Sequence, residues 1–347
     1  QGVAVFGPSK TAAQLEGSKN FSRVLMKKYG IPTPEFHSFD DPAHAKKFVR
    51  KLASKGKQSV VKADGLAAGK GAIVTATIDE ADAAIDQCMV ERKFGDAGDL
   101  VVVEERLCGP ELSILAITDG QRMVILPPAQ DHKPVGEGDT GLNTGGMGAY
   151  SPVPIVNEDL MGRIRRTILE PTIKGMEAEG HPYSGVLYAG LMMTDQGPYV
   201  IEYNCRFGDP ETQAVLPTIK EDLLPLLWAA AQGSLQADRI IEPDHSALCV
   251  ILASGGYPEI YEKGKEITGI AEAEAAVGSD VMVFHAGTAW AQDRLVTSGG
   301  RVLGVTGIGY NFDNACKKAY AAVEKIHFEG VYYRRDIGYR VRGKGMG

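Results

Sequence analysis

Apolar residues along the chain follow two spacings, one typical of helices and one typical of strands. Repeats of three to four residues predict amphipathic helices, whereas short runs rich in Val and Ile predict strands. The two kinds of element mix along the chain, which predicts an α+β or α/β protein of several domains. The predicted helices are 10–29, 42–53, 78–92, 158–180, 222–233 and 311–326. The predicted strands are 3–8, 59–63, 72–74, 100–107, 109–117, 123–126, 185–194, 197–206, 247–253, 281–285 and 301–306.

The polar residues of the stretch 199–206 suggest a metal site. Side chains alternate along a strand, so Glu202, Asn204 and Arg206 emerge on one face. A carboxylate and an amide oxygen suit Mg²⁺, because nucleotide phosphates and water can fill its other positions. Arg206 could bind a carboxylate or phosphate beside the metal. From these residues alone, an edge strand with a solvated polar face is an equally good interpretation.

A glycine-rich hairpin at 64–71 joins two predicted strands and has Lys62 and Lys70 at its ends. Small residues let backbone N–H groups close on phosphate oxygens, and the lysines supply positive charge. The hairpin is not a Walker A loop, because the sequence G-x-x-x-x-G-K-[ST] is absent. An ordinary turn is the alternative. The surrounding residues 40–107 are typical of a small α+β module that could act as a lid.

Composition narrows the function class. The 347-residue chain carries a formal net charge of −7 without a basic block, which argues against a nucleic-acid partner. The five cysteines form no C-x-x-C pair and indicate a reducing, cytoplasmic compartment. No apolar run is long enough for a bilayer, so no membrane partner is expected. The chain begins at Gln1, and the strand predicted at 3–8 suggests that an N-terminal portion precedes it.

Several motifs resemble known proteins in their order along the chain. Residues 62–71, 104–113 and 202–206 resemble the ATP-grasp superfamily. Residues 130–133 and 143–150 are similar to the glycinamide ribonucleotide synthetase family within it. The same likeness continues at 206–211, 253–258, 284–288 and 299–303.

This resemblance implies a domain organisation. It comprises an ATP-grasp fold with a small lid subdomain, a C-terminal α+β domain, and an N-terminal Rossmann-like domain that we expect to be missing from this chain. The implied divisions are 1–15 for the end of the N-terminal domain, 16–39 with 108–240 for the central ATP-grasp domain, 40–107 for the lid, and 241–347 for the C-terminal domain.

The resemblance also implies an ATP site. Lys19 and Lys62 would contact the phosphates of ATP, the co-substrate, and the glycine-rich hairpin would cover them. The backbone of 104–107 would read the adenine, and Glu111 would bind the ribose hydroxyls. Without the resemblance, these acids would be read as ordinary surface residues. The implied ATP-binding residues are Lys19, Lys62, Gly69, Lys70, Gly71, Glu104, Glu105, Leu107 and Glu111.

The glycine and metal sites are implied in the same way. Asp131 would meet the ammonium of glycine and Arg206 its carboxylate, and these two residues with Lys62 are the implied catalytic set. His132 is expected to position neighbouring groups and not to transfer protons. The implied metal ligands are Glu202 and Asn204, holding Mg²⁺ or Mn²⁺, and the implied substrate loop contains Gly145, Gly146, Met147 and Gly148.

The chain departs from the family pattern at a few positions. Pro134 stands where a basic residue is expected, which removes one candidate contact from the phosphoribosylamine pocket. Pro110 and Leu142 stand where the family carries an acid and a proline. Arg301 could border the sugar-phosphate site or pack a turn.

The reaction implied by the resemblance is ATP-dependent ligation of glycine to 5-phosphoribosylamine through glycyl phosphate. It gives glycinamide ribonucleotide, ADP and phosphate in de novo purine synthesis, and the enzyme is expected to be a monomer acting on small molecules. Two alternatives remain at this point. One is another ATP-grasp carboxylate–amine ligase or a carboxylase, and the other is an ATP-binding fragment without catalytic activity.

Overall fold

A computed structural model describes residues 2–65 and 71–342. It confirms the predicted mixed α/β architecture with several sheets. Two short hairpins, one between 134 and 143 and one between 288 and 297, accompany the larger sheets. The described residues contain three larger sheets, one of four strands and two of five.

The first sheet belongs to a small α+β unit that carries the glycine-rich hairpin. Its antiparallel strands lie in the order Phe36–Phe39, Val101–Glu105, Ser59–Ala63 and Ala72–Thr75. Helices Pro42–Ala53 and Ile78–Met89 pack against it. Apolar residues of both helices and of the central strands form a hydrophobic cluster of their own, including Phe48, Leu52 and Ile85. A separate core is what a unit needs to fold and move as one body.

The second sheet carries the stretch with the predicted metal ligands. Its strand order is Gly197–Asn204, Gly185–Thr194, Glu111–Thr118, Met123–Ile125 and Arg239–Ile240. The first two strands form the predicted antiparallel hairpin, in which Gly190 lies opposite Glu202 and Tyr188 opposite Asn204. The hairpin therefore fixes both polar residues to a sheet that is largely buried.

The third sheet joins the C-terminal region to the middle of the chain. Its strand order is Val281–His285, Arg301–Gly309, Ser246–Ala253, Gly148–Ser151 and Gln130–Asp131. The last two strands come from the segment that the sequence assigns to the central domain. Asp131 is thus held at a sheet edge and not in a free loop.

The remaining helices cover these sheets. Ser18 is extended, and its hydroxyl accepts a hydrogen bond from the Phe21 amide, so it starts a new helix within the predicted helix 10–29. A π-helical turn, Arg165–Leu169, interrupts the predicted helix 158–180. The helices are Gln14–Gly17, Lys19–Lys28, Glu158–Ile164, Glu170–Ala178, Glu211–Val215, Leu223–Ala231, Ile270–Val277 and Phe312–Val323. Short 3₁₀ turns occur at Gly95–Gly98, Leu216–Thr218 and Gly278–Asp280.

The strand predicted at 3–8 is wrong. No strand among the described residues pairs with this segment, and the side chains of Val3 and Val5 are exposed. Apolar alternation alone does not make a strand, because the backbone groups also need a partner. In the glycine-rich region near 136–148, Pro134–Gly136 and Thr140–Asn143 pair as a small hairpin. No helix in the described ranges combines the length and the apolar character needed to cross a bilayer.

Ile85→Ala tests whether the small unit has an independent core. Ile85 is fully buried in the separate cluster, and its truncation should cost about 2–5 kcal/mol there. Amide hydrogen exchange should show faster exchange in residues 36–105 and little change elsewhere. Leu115→Ala, at a fully buried position of another cluster, is the matched control and should act on the central sheet. Equal loss of protection everywhere in both variants would contradict the independence of this unit.

Candidate active site

A cavity of about 940 Å³ lies where the small unit, the helix Lys19–Lys28 and the strand Gly197–Asn204 meet. Its wall includes both predicted phosphate-binding lysines that the structure describes and both predicted metal ligands. Gly69 and Lys70 lie outside the described residues. The predicted site residues on the wall are Lys19, Lys62, Gly71, Glu104, Glu105, Leu107, Glu111, Glu202, Asn204 and Arg206.

The Glu202 carboxylate and the Asn204 amide open into the same cavity, as strand alternation predicts. Asn204 Oδ1 accepts a hydrogen bond from Arg206 Nη2 at 3.3 Å. No cluster of three or more His, Cys, Asp or Glu side chains able to hold a metal occurs within the described ranges. Two protein oxygens beside a cavity of this volume nevertheless fit Mg²⁺ or Mn²⁺, since nucleotide phosphates complete such sites. The donor set therefore fits a nucleotide-bound cation and does not fit a cage made by protein alone.

Lys133 is a cavity-lining residue to which the sequence assigned no role. Its Nζ lies 2.9 Å from Glu111 Oε2 and 3.2 Å from Glu202 Oε1, so it bridges the predicted ribose and metal carboxylates. Burial alone would lower the pKa of Lys133, but Glu202, Glu111 and Asp131 together hold it well above its ordinary value. Glu202 responds in the opposite direction, since the Lys133 charge lowers the pKa of its carboxyl. The motif 130–133 was a signal for this role, but spacing alone did not separate Lys133 from its neighbours.

At the cavity wall, Arg23, Glu104 and Lys62 form a buried ionic cluster. Arg23 is 3% exposed and Glu104 1%. Arg23 donates to both carboxylate oxygens of Glu104, at 2.8 Å to Oε2. Lys62 Nζ lies 2.9 Å from the same Oε2. Burial raises the pKa of Glu104, but the two cations outweigh it and hold that pKa below its ordinary value.

The ionic cluster also holds the metal strand. Arg23 donates to the carbonyl oxygens of Val200 at 3.2 Å and Ile201 at 2.7 Å, and Lys62 donates to Ile201 at 2.9 Å. One charged group of atoms therefore joins three elements: helix Lys19–Lys28, the small unit and strand Gly197–Asn204. Because Ile201 directly precedes Glu202, the contact to its carbonyl holds the Lys62 ammonium beside the backbone of the predicted metal ligand.

The N-terminus of helix Lys19–Lys28 lies against the start of the glycine-rich hairpin. Asp64 accepts hydrogen bonds from the Ser18 hydroxyl and from the Asn20 amide at 2.9 Å. Lys19 Nζ donates to the Gly65 carbonyl at 2.7 Å. A helix N-terminus favours negative charge, and here the Asp64 carboxylate occupies that position, so Lys19 supplies the positive charge at this end of the cavity.

Residues 104–109 form a hinge that joins the small unit to strand Glu111–Thr118. The Glu105 carboxylate is held by its neighbours: it accepts a hydrogen bond from the Glu35 amide and pairs with Lys57. The hinge then turns at Gly109, where an added Cβ would lie 1.9 Å from the Met193 carbonyl oxygen. Leu107 lines the cavity as predicted. The side chains of Glu104 and Glu105 thus fix the hinge, and residues 106–109 line the cavity.

Asp131 is 6% exposed and is not on the cavity wall itself. Burial raises the pKa of its carboxyl well above the ordinary value; Lys133 opposes this and nearby Glu211 adds to it. Glu211 is in turn held by the Tyr188 hydroxyl at 2.8 Å and the Ser113 hydroxyl at 3.2 Å. A further cation beside Asp131 would therefore stabilise its charged form.

The predicted substrate loop divides into two parts. Arg301 Nη1 donates to the carbonyl of Gly145, and its other nitrogen pairs with Asp209 at 2.7 Å, so Arg301 packs this turn. Met147 is fully buried in the core, and Gly148 lies in a buried strand. None of the four predicted residues of this loop, Gly145, Gly146, Met147 and Gly148, lines the cavity.

Comparisons with known proteins agree with this geometry. The family model described as phosphoribosylglycinamide synthetase, ATP-grasp (A) domain, matches residues 17–212, and the model of the C domain matches residues 247–340. A phosphoribosylamine–glycine ligase of Nostoc sp. is 51% identical over 344 residues, which span 98% of this chain and 79% of that protein. A trifunctional purine biosynthetic protein of Homo sapiens is 48% identical over 340 residues, spanning 98% of this chain and 33% of that protein.

Solved structures show the same likeness. The crystal structure of a phosphoribosylamine–glycine ligase from Thermotoga maritima is 40% identical and superposes with a TM-score of 0.87, covering 96% of this chain and 82% of that one. A biotin carboxylase from Campylobacter jejuni is 16% identical, with a TM-score of 0.74 and coverage of 95% and 71%. The second likeness is one of fold alone.

Arg23→Met tests the ionic cluster. The change leaves Glu104 buried with one cation fewer, and breaking such a cluster should destabilise the protein by about 3–5 kcal/mol. Urea unfolding would measure the loss. The double variant Arg23→Met/Glu104→Gln should lose less than the sum of the two single changes, because both charges are removed together. Strict additivity in this cycle would show that the two residues do not act as a pair.

Proposed function

The chain belongs to the phosphoribosylglycinamide synthetase family, and from this premise we propose how its cleft joins glycine to phosphoribosylamine with ATP. Family membership confirms the predicted ATP-grasp fold and the predicted enzyme class, an ATP-dependent ligase of purine synthesis. It also favours this acceptor over the alternative of another ATP-grasp ligase.

The nucleotide half of the cleft is supported by the positions of its cations. Lys19 of helix Lys19–Lys28 and Lys62 of the small unit both line the cavity, and each ammonium is held by a backbone carbonyl at the wall. In this proposal the two ammonium groups bind the phosphates of ATP. The base lies against Leu107 in the hinge.

Glu202 and Asn204 are the proposed ligands of Mg²⁺ or Mn²⁺. When bound, such a cation neutralises charge on the phosphates and stabilises phosphoryl transfer. Lys133 contacts Glu202 at 3.2 Å and adds a second positive charge at the same place. Phosphoryl transfer depends mostly on positioning and charge, which is the chemistry that these residues offer.

Glycine is proposed to lie between Asp131 and Arg206. Asp131 is a buried carboxylate whose charged form an ammonium would stabilise, and Arg206 is an exposed guanidinium at the end of the metal strand. Arg206 now contacts Glu16 at 3.3 Å, which keeps its head at the rim of the cavity. Gly145 and Gly146 form the adjoining turn, while Met147 and Gly148 support that turn from the core.

The chemical logic is activation of a carboxylate. Transfer of the γ-phosphoryl group to glycine gives glycyl phosphate, and attack by the amine then releases phosphate. Glycyl phosphate would hydrolyse in water, so the reaction needs a site from which solvent is excluded. We propose that residues 40–107 form the lid that excludes it. The separate hydrophobic core of this unit supports that role.

The observation that carries the proposal is the cavity shared by Lys62, Glu202 and Asn204 in a chain of this family. Turnover of ATP that requires glycine, with phosphoribosylamine generated in the assay, tests it directly. ATP binding without such turnover would contradict the proposed reaction. The cytoplasmic location and the monomeric state stay predictions.

Glu202→Gln should abolish metal-dependent turnover. The amide is nearly isosteric but removes the anionic oxygen that a hard divalent cation prefers, so kcat should fall at least about 100-fold. Steady-state kinetics over a range of Mg²⁺ and Mn²⁺ concentrations would measure it. Circular dichroism should show an unchanged fold. Kinetics like those of the unmodified protein would remove Glu202 from the metal site.

Asp131→Asn should weaken glycine binding selectively. Losing the charge-assisted contact to the ammonium should raise KM for glycine by about 10- to 100-fold, equivalent to about 1.4–2.7 kcal/mol, and leave KM for ATP within about twofold. Initial rates with each substrate varied in turn provide the comparison. Equal increases for glycine and ATP would argue against the ammonium role.

A further inference from the structure

A cluster of charged side chains, fully buried at Arg334 and half-buried at Asp139 and Arg340, connects the C-terminal segment 334–340 to the middle of the chain outside the cavity. Asp139 is its centre. Its carboxylate receives hydrogen bonds from Arg334 at 2.9 Å, Tyr339 at 2.8 Å and Arg340. Arg334 is fully buried and also forms a fork with Asp336. Burial raises the pKa of Asp139, but hydrogen bonds from His132, Tyr339 and Arg334 outweigh it and hold that pKa well below the ordinary value.

The same segment is tied to the backbone next to the glycine site. Arg334 Nη1 donates to the Pro134 carbonyl at 3.0 Å, and the Gly138 amide donates to Asp336 at 2.8 Å. Arg340 Nη1 donates to the Asp131 carbonyl at 3.2 Å. Arg340 therefore contacts both Asp139 and the main chain of the residue proposed to bind the glycine ammonium.

His132 is the link between the cluster and the strand. Its Nε2 accepts a hydrogen bond from the Gly338 amide at 3.0 Å, so its proton is on Nδ1, which faces Asp139 at 3.3 Å. Burial lowers the pKa of His132, which keeps the ring neutral and suits this arrangement. The ring is fully buried and packs against Tyr339, so it serves as an anchor.

Anchoring His132 determines where its two neighbours lie. Its backbone N–H and C=O pair with Gly148 and Met147 at 2.9 and 2.8 Å. Because side chains alternate along extended backbone, the residues on either side face the opposite way. Lys133 accordingly meets Glu111 and Glu202 in the cavity.

We propose that segment 334–340 is a positioning element of the glycine site, acting through Arg340 and Asp139 on Asp131 and Lys133. This inference rests on the proposed role of Asp131 in binding glycine. Neither Arg334 nor Arg340 lines the cavity, so the segment acts only through the residues that it contacts. If the cluster only stabilised the fold, substitutions in it would lower the melting temperature and leave the ratio of the KM values for glycine and ATP unchanged.

Arg340→Met tests the inference on the full chain. The change removes both the pair with Asp139 and the contact to the Asp131 carbonyl. KM for glycine should rise about tenfold, because small displacements in a positioned site cost large factors in binding and rate, while KM for ATP changes less than about twofold. Arg340→Lys, which keeps the charge but loses the fork, should recover part of the glycine affinity. The matched control is Arg335→Met, an exposed arginine over the Tyr333 ring, which should change neither KM.

Equal changes in both KM values, or no change in either, would overturn the inference. Should Arg340→Met fail to fold, Tyr339→Phe provides the test, because it removes only the hydroxyl that contacts Asp139. It should raise KM for glycine about two- to threefold, and no rise would overturn the inference. Asp131→Asn, measured in the same assay, separates the two proposals. A selective glycine effect in Asp131→Asn without one in Arg340→Met rejects only the positioning role, whereas no glycine effect in Asp131→Asn rejects the proposed function itself.

Discussion

The active cleft depends on one buried ionic cluster, in which Arg23 and Lys62 share the carboxylate of Glu104 and both donate to the carbonyl of Ile201. Three elements that are far apart in the chain meet at this point. Buried charges cost free energy unless they are paired, so Arg23 of the helix depends on Glu104 of the small unit, and the strand adds the carbonyl acceptors of Val200 and Ile201. The cluster therefore fixes the distance between Lys62, the proposed phosphate-binding lysine, and the strand that presents Glu202 and Asn204.

Strand periodicity predicted much of this site, since alternation alone placed Glu202, Asn204 and Arg206 on one face. Local patterns also predicted the neighbouring strand Gly185–Thr194 and most helices and strands of the small unit, although not its strand Phe36–Phe39. Arg23 could not be found in this way. It lies on an amphipathic helix where a cation is ordinarily a solvated residue, and its partner Glu104 is 81 residues away. Lys133 was missed for the same reason, because its role comes from the two acids that the folded chain brings beside it.

Long-range strand pairing accounts for the other differences. The sequence around 127–148 is rich in proline and glycine and carries no clear strand signal, yet Gln130–Asp131 and Gly148–Ser151 complete a sheet with Ser246–Ala253. This pairing draws the proposed glycine site into contact with the C-terminal region. It also explains how a distant segment, 334–340, comes to hold the residues on either side of His132. Residues 3–8 show the reverse, since they have a strand-like pattern but pair with no strand among the described residues.

The most direct measurement of the central claim is anomalous diffraction from a crystal grown with Mn²⁺ and a non-hydrolysable ATP analogue. The account predicts a manganese peak about 2 Å from Glu202 and Asn204 oxygens, with phosphate oxygens filling other positions and the Lys62 ammonium beside the same phosphates. A manganese peak in the cavity that touches neither residue, or a nucleotide bound away from Lys62, would contradict it.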